Sequence, residues 1–235
     1  MADKEKQGAP LVPEEFIRRY VKITASKATT TQRFRLTTSE AELRESLWWV
    51  YKANVARCGY VASKDAPTVR AIESAARWLT AKEAKPGLLL FGEPGGGKTT
   101  MADTIMETLN TYISVYASDN PNISSPAGIA YMQKRSAKLI CDTFTSDRTL
   151  FDRWMRMPML YIDDVGCEPS EVRFFGNVAS PLTDLLYFRY ENRLMTIMTT
   201  NLTIEDIGNN YGPRIKDRMI EMFNRLGYKN KSYRK

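Results

Sequence analysis

The rhythm of apolar and polar positions changes twice along the chain. Residues 1 to about 38 show little periodicity, and Pro10, Pro13 and the threonines at 29–31 predict a mobile, loosely packed arm. From Ser39 a helical spacing sets in. Ser39 and Glu42 make a capping-box pair, and Leu43, Leu47, Val50 and Tyr51 follow at helical intervals. A second helix is expected over 67–81, with Val69, Ile72, Ala76 and Leu79 along one face. Trp48, Trp49 and Trp78 read as core or inter-helix packing within this pair.

After Lys85-Pro86 short apolar runs alternate with helical patterns, the signature of a largely parallel sheet. Strands are expected at 87–91, 129–133, 159–163 and 194–200, with a further short one at 112–116. Helices are expected at 98–110, 136–143, 148–155, 181–192 and 212–226. Ser180 before Pro181 gives a strong helix start. Residues 118–128, with two prolines, two asparagines and three serines, read as a surface loop. The resulting division is an arm at 1–38, a helical segment at 39–85 and an α/β domain at 86–235.

Composition narrows the chemistry. The 235 residues contain no histidine, which excludes Ser-His-Asp and Cys-His hydrolases, zincins and histidine proton shuttles. Cys58, Cys141 and Cys167 are too few and too far apart for a four-ligand zinc site or a disulfide framework, and each is expected as a free buried thiol. The apolar runs at 87–91 and 157–162 are far too short to span a bilayer, and the opening MADKEKQGAP has no signal-peptide core. A soluble cytoplasmic protein without a membrane partner is expected. Lys+Arg 34 against Asp+Glu 27 leaves a net charge of +7, and residues 211–235 hold eight basic and two acidic side chains. That surplus favours a polyanionic partner.

Four local patterns carry chemistry. Gly92-Glu93-Pro94-Gly95-Gly96-Gly97-Lys98-Thr99 fits G-x-x-x-x-G-K-[ST] directly after an apolar strand and at a helix start. Glycines let successive N–H groups face phosphates, Lys98 reaches the outer two, and the Thr99 hydroxyl can ligate Mg²⁺. Thr100 completes the nucleotide-binding set. The apolar run Met159-Leu160-Tyr161-Ile162 delivers Asp163 and Asp164 at a strand end, Asp163 for the metal and Asp164 for the attacking water. Asn201 closes the strand at 194–200; inserted between the other two, that strand would bring Asn201 near the γ-phosphate, the alternative being a cap for the helix start at Thr203. Arg214 and Arg218 lie four apart on one helical face, as a finger for a neighbour's γ-phosphate or as a solvated basic surface.

The ordered set GEPGGGKT, LYIDDVG, TIMTTNL and GPRIKDRM resembles the DnaC/IstB branch of the AAA+ ATPases, over about residues 87–226. That branch comprises replicative helicase loaders and ATPase helpers of transposition. The resemblance implies a P-loop NTPase fold, ATP/ADP and Mg²⁺ as cofactors, a Walker A loop at 92–99, a Walker B pair at Asp163 and Asp164, and a sensor Asn201. It also implies an arginine finger, Arg218 first and Arg214 second. Asp164 stands where many relatives carry Glu. Only 17 residues follow Arg218, which predicts no C-terminal helical lid.

By the same resemblance, the 39–85 segment is expected to bind the partner, a replicative helicase or a transposase, with self-association on ATP. Single-stranded DNA is expected on Lys134, Arg135 and Lys138, where relatives carry a strand-binding helix, and on the tail residues Lys229, Lys231 and Arg234. The expected function is an ATP-hydrolysing, DnaC-like helicase loader acting in DNA replication. The alternatives are an IstB-like transposition helper, a nucleotide-gated adaptor that barely hydrolyses, and a P-loop small-molecule kinase. A kinase would need an arginine-bearing lid, and the residues after Asn201 offer no such insertion.

Overall fold

Two apolar layers, one on each side of a central sheet, organise the chain. The computed structural model describes residues 34–116 and 131–228, and the backbone of 124–125 and 128–129. The tail residues Lys229, Lys231 and Arg234, the arm before residue 34 and most of the 118–128 loop lie outside the described residues.

Helix α1 (Glu40–Arg57) opens on the expected capping box: the Ser39 hydroxyl accepts from Glu42 N–H and the Glu42 carboxylate accepts from Ser39 N–H. Helix α2 (Ala66–Thr80) is capped by Asp65. Then come β1 (Gly87–Phe91), α3 (Lys98–Tyr116), the two-residue strands β2 (Ser124–Ser125) and β3 (Gly128–Ile129), and β4 (Gln133–Ser136). These are followed by α4 (Ala137–Ser146), α5 (Arg148–Met155), β5 (Met159–Val165), β6 (Val172–Phe174), β7 (Asn177–Ala179) and α6 (Pro181–Glu191). The chain continues through β8 (Met195–Thr200), α7 (Ile204–Tyr211), α8 (Pro213–Met222) and β9 (Phe223–Gly227).

Five strands form one parallel sheet in the order β4-β5-β8-β1-β9. A parallel sheet must be covered on both faces. Successive side chains of β1 serve this: Leu88 and Leu90 join a core with α1, α2 and α3, whereas Leu89 enters the core built by α4 to α8. Each of these leucines is fully buried, contributing roughly 1.5–3 kcal/mol. Leu43, Leu47 and Tyr51 of α1 share the first core with Ile105, Leu109 and Ile113 of α3, so the helical segment packs as part of the sheet's cover.

Several expectations are corrected. Residues 112–116 continue α3, because Ile113 extends the buried face of Ile105 and Leu109 at four-residue steps. The predicted helix 212–226 stops at Met222, and Phe223 to Gly227 pair with β1. The strand expected at 129–133 forms instead at Gln133–Ser136 as a polar edge strand. Ahead of it the Asn110 side chain clamps both backbone groups of Met132, at 2.9 and 3.0 Å. The β6–β7 hairpin carried no expectation, and α7 was expected only as a helix start at Thr203. Residues 34–38, placed in the loose arm, are tied down: Leu36 is buried and its N–H bonds Leu79 O at 2.9 Å. Trp78 is core as expected, but Trp49 is 66% exposed, with the Lys52 ammonium over its ring. Of the three thiols only Cys141 is buried, and burial pushes it up to about 12; Cys58 and Cys167 are exposed.

One buried ion holds the end of the sheet away from the glycine loop. Arg189 is fully buried; Nε donates to Thr196 Oγ1 at 2.9 Å, Nη1 to Met157 O at 2.7 Å and Nη2 to Met195 O at 2.6 Å. Its planar fork thus clips the beginnings of β5 and β8 to α6. Arg189→Met should lower unfolding free energy by about 2–4 kcal/mol, because several buried carbonyls lose their donor. Arg189→Lys should fail to restore it, since one ammonium cannot span the fork. Urea denaturation of the three proteins checks this.

Candidate functional site

The glycine loop joins β1 to α3 and requires backbone that only glycine adopts without strain. Gly92 has φ 149°, and a Cβ there would sit 2.3 Å from the Tyr228 carbonyl oxygen. Gly97 has φ 90° and turns the chain into the first residue of α3. Lys98 is buried and folds back over the loop, donating to Gly92 O at 2.9 Å and Glu93 O at 2.8 Å. Burial pulls its ammonium below the ordinary lysine range, against the opposing charges of Asp164 and Asp163.

Asp163, at the end of β5, is held by donors from four elements. Tyr161 Oη and Thr199 Oγ1 each lie 2.6 Å from Oδ1, and Thr99 Oγ1 lies 3.2 Å from the same oxygen. Lys134 Nζ is 3.0 Å from Oδ2. Burial alone would raise this carboxyl, but the bonds from Thr199, Tyr161 and Lys134 outweigh it and hold Asp163 below the usual carboxylate range. The Thr99 hydroxyl and the ionised Asp163 form the donor pair that a magnesium ion shared with two phosphates requires, so the residues fit that ion.

A bulge between Ile162 and Val165 sets Asp164 apart from its neighbour. Asp164 adopts φ 56°, its N–H donates to Thr199 Oγ1 at 2.9 Å, and its side chain is exposed. One hydroxyl, Thr199, therefore braces both carboxylate residues. Strand β8 does lie between β5 and β1, and Asn201 follows its end. The cap of α7 is Thr203 with its own capping box to Asp206, so Asn201 is not that cap.

Pro94, Gly95, Gly97, Lys98, Thr99, Thr100, Asp164 and Asn201 line one cleft of about 300 Å³. Its other wall is Tyr51, Val55, Cys58 and Tyr60 from α1 and the turn after it. That wall was absent from the sequence reading, as were the roles of Tyr161 and Thr199. Hydroxyls inside the apolar runs 159–163 and 194–200 were the available signal. Gly92, Glu93 and Gly96 build the loop without lining the cleft.

Arg214 and Arg218 share α8, outside this cleft. Arg214 is exposed in the first turn, and the Arg218 guanidinium stacks over Tyr187 at 4.2 Å and Tyr190 at 5.1 Å. Lys134, one of the residues expected to meet DNA, has its ammonium bound to Asp103 and Asp163. Arg135 bonds Gln133 Oε1 at 2.6 Å and lies over Trp154, while Lys138 is exposed on α4. Among the described residues no helix is long and apolar enough to cross a membrane.

A glycine loop between the strand and helix of a parallel sheet, with a carboxylate strand one position beyond its neighbour, defines a P-loop nucleotide-binding fold. Solved structures narrow it. The crystal structure of the DnaC helicase loader matches with a TM-score of 0.51 and 21% identity, covering 72% of this chain and 93% of that one. The crystal structure of DnaI matches with a TM-score of 0.55 and 21% identity, covering 79% and 93%. A primosome component from Streptococcus pyogenes serotype M3, described as putative, matches with a TM-score of 0.54 and 15% identity, covering 87% and 97%. The fold is therefore the one seen in the DnaC and DnaI structures. The replication factor C large subunit of Picrophilus torridus is 31% identical over 130 residues, 53% of this chain, and the match spans 28% of that protein's length. No family model matches the chain.

Proposed function

We propose that this protein is an ATP-hydrolysing replication factor that loads a helicase in the manner of DnaC. The observation that carries the reading is the Lys98 loop with Thr99 bonded to Asp163, set in a fold shared with DnaC and DnaI. In this reading Lys98 and the loop N–H groups bind the outer phosphates of ATP, and Tyr51, Val55 and Tyr60 flank the remainder of the nucleotide. Thr99 and Asp163 would hold Mg²⁺, which when bound neutralises charge on the phosphates. Asp164 takes a proton from the water and Asn201 orients it. Arg218 completes the site of a neighbouring copy, with Arg214 the second candidate.

ATP-dependent self-association follows from that shared site. Single-stranded DNA is assigned to Arg135, Lys138 and the basic tail at 229–235, through phosphate contacts without sequence readout. The 39–85 segment offers Trp49 as an exposed aromatic contact for the helicase. The kinase reading is disfavoured because no arginine among the described residues lines the cleft. A pull-down from host lysate with ATP bound, read together with ATP turnover with and without single-stranded DNA, tests the proposal. Recovery of a hexameric helicase and DNA-stimulated turnover are expected. Recovery of a transposase would move the protein to the IstB-like reading, and phosphoryl transfer to a metabolite without a DNA effect would overturn both.

A further inference from the structure

The two oxygens of Asp163 are held differently, one by three hydroxyls and the other by a lysine. An ionised carboxylate offers about four lone-pair positions. Four donors reach it unevenly: Tyr161 and Thr199 at 2.6 Å and Thr99 at 3.2 Å share Oδ1, and Lys134 at 3.0 Å holds Oδ2. A magnesium-bound water would therefore take its place on Oδ2, beside the Lys134 ammonium. Tyr161 and Thr199 are buried and hold Oδ1 at 2.6 Å, and Thr199 also lies within hydrogen-bond reach of Tyr161. Thr99 can keep its proton on Asp163 while presenting a lone pair elsewhere. Lys134 has a second, charged acceptor in place: Asp103 of α3, whose two oxygens lie 2.9 and 3.1 Å from Nζ. Its side chain is also the most exposed of the three in this ion cluster, at 33% against 28% for Asp103 and 10% for Asp163.

We propose that Lys134 is a stand-in cation for the metal, occupying Asp163 in the metal-free protein and withdrawing onto Asp103 when a divalent ion arrives. It touches no substrate atom in this role and acts through Asp163, as a positioning residue. Before nucleotide binds, Lys134 keeps Asp163 ionised and aimed at Thr99. Once the ion is present, the ammonium opposes it electrostatically and lowers the site's affinity for it. Lys134 and Asp103 thus set the magnesium dependence of nucleotide binding with opposite signs. The inference rests on the ATP-site reading above.

The test is a thermodynamic ratio, the Kd of a fluorescent ATP analogue in EDTA divided by its Kd in saturating magnesium. By linkage this ratio reports the metal's affinity for the nucleotide-bound protein. Lys134→Gln should raise the ratio about threefold to tenfold, by removing a positive charge next to the ion. Asp103→Asn should lower it by a similar factor, because Asp163 is then the one carboxylate left to hold Lys134. Lys134→Arg, which keeps the charge, should stay near the wild-type value. A fold defect would weaken both Kd values together and leave the ratio unchanged, so the opposed shifts separate the role from mere packing. A ratio that falls or does not move in Lys134→Gln overturns the stand-in role while leaving the nucleotide site intact. Wild-type protein that binds the analogue under neither condition overturns the ATP-site reading and this inference with it.

Discussion

Alanine at position 98 is expected to abolish nucleotide binding while leaving the fold in place. Lys98 is the cation buried within the glycine loop, and its ammonium already rests on the carbonyls of Gly92 and Glu93. With phosphates present it would exchange these two neutral acceptors for charged ones, worth about 1.5–3 kcal/mol each. Losing two such bonds corresponds to a rise in Kd of roughly two to four orders of magnitude. The folded chain should lose little, because burial already disfavours the Lys98 charge. Calorimetric titration with ATP, beside thermal unfolding of both proteins, makes the measurement. Wild-type affinity in Lys98→Ala would remove the loop from the nucleotide site.

Lys98 and its loop were legible because their chemistry is local. Consecutive glycines, a lysine and a hydroxyl must adjoin a strand and a helix, and all of that is written in eight residues. Strands β1, β5 and β8 were legible because a buried parallel strand is apolar throughout. What failed depends on pairing. β4 reads Gln-Lys-Arg-Ser and has no apolar signal; it is a strand because it pairs with β5, in a register that sets Ser136 against Asp163. That pairing also brings Lys134 to the carboxylates of Asp103 and Asp163, a contact that the sequence around it does not announce. β9 was hidden because Met219 and Met222 of α8 lead at helical spacing into Leu226. The contribution of Tyr51 and Tyr60 to the cleft comes from packing α1 against α3, more than forty positions downstream. No local pattern announces such a contact.

The same limit makes the arginines of α8 a matter for experiment on more than one copy. Arg214 and Arg218 lie on one face of the helix, and neither lines the cleft of its own chain. In the proposed reading their charge reaches a γ-phosphate across a boundary between copies. Arg218 is the better prepared, because its guanidinium is stacked on Tyr187 and Tyr190 and loses less freedom when it engages a phosphate. Arg218→Ala is expected to bind ATP with near wild-type affinity and to lose DNA- or assembly-stimulated turnover by about 10³-fold. Arg214→Ala is expected to retain most of it. Mixing supplies the decisive arm. Asp164→Ala is expected to bind nucleotide and to leave the water unactivated, while keeping Arg218. In an equimolar mixture with Arg218→Ala, roughly a quarter of head-to-tail interfaces pair an intact cleft with an intact arginine. Turnover should reappear to about that fraction, although each variant alone is inactive. Normal stimulated turnover in Arg218→Ala with loss in Arg214→Ala would transfer the role one turn back along α8. Normal turnover in both would leave the site complete within a single chain and end the case for a shared one.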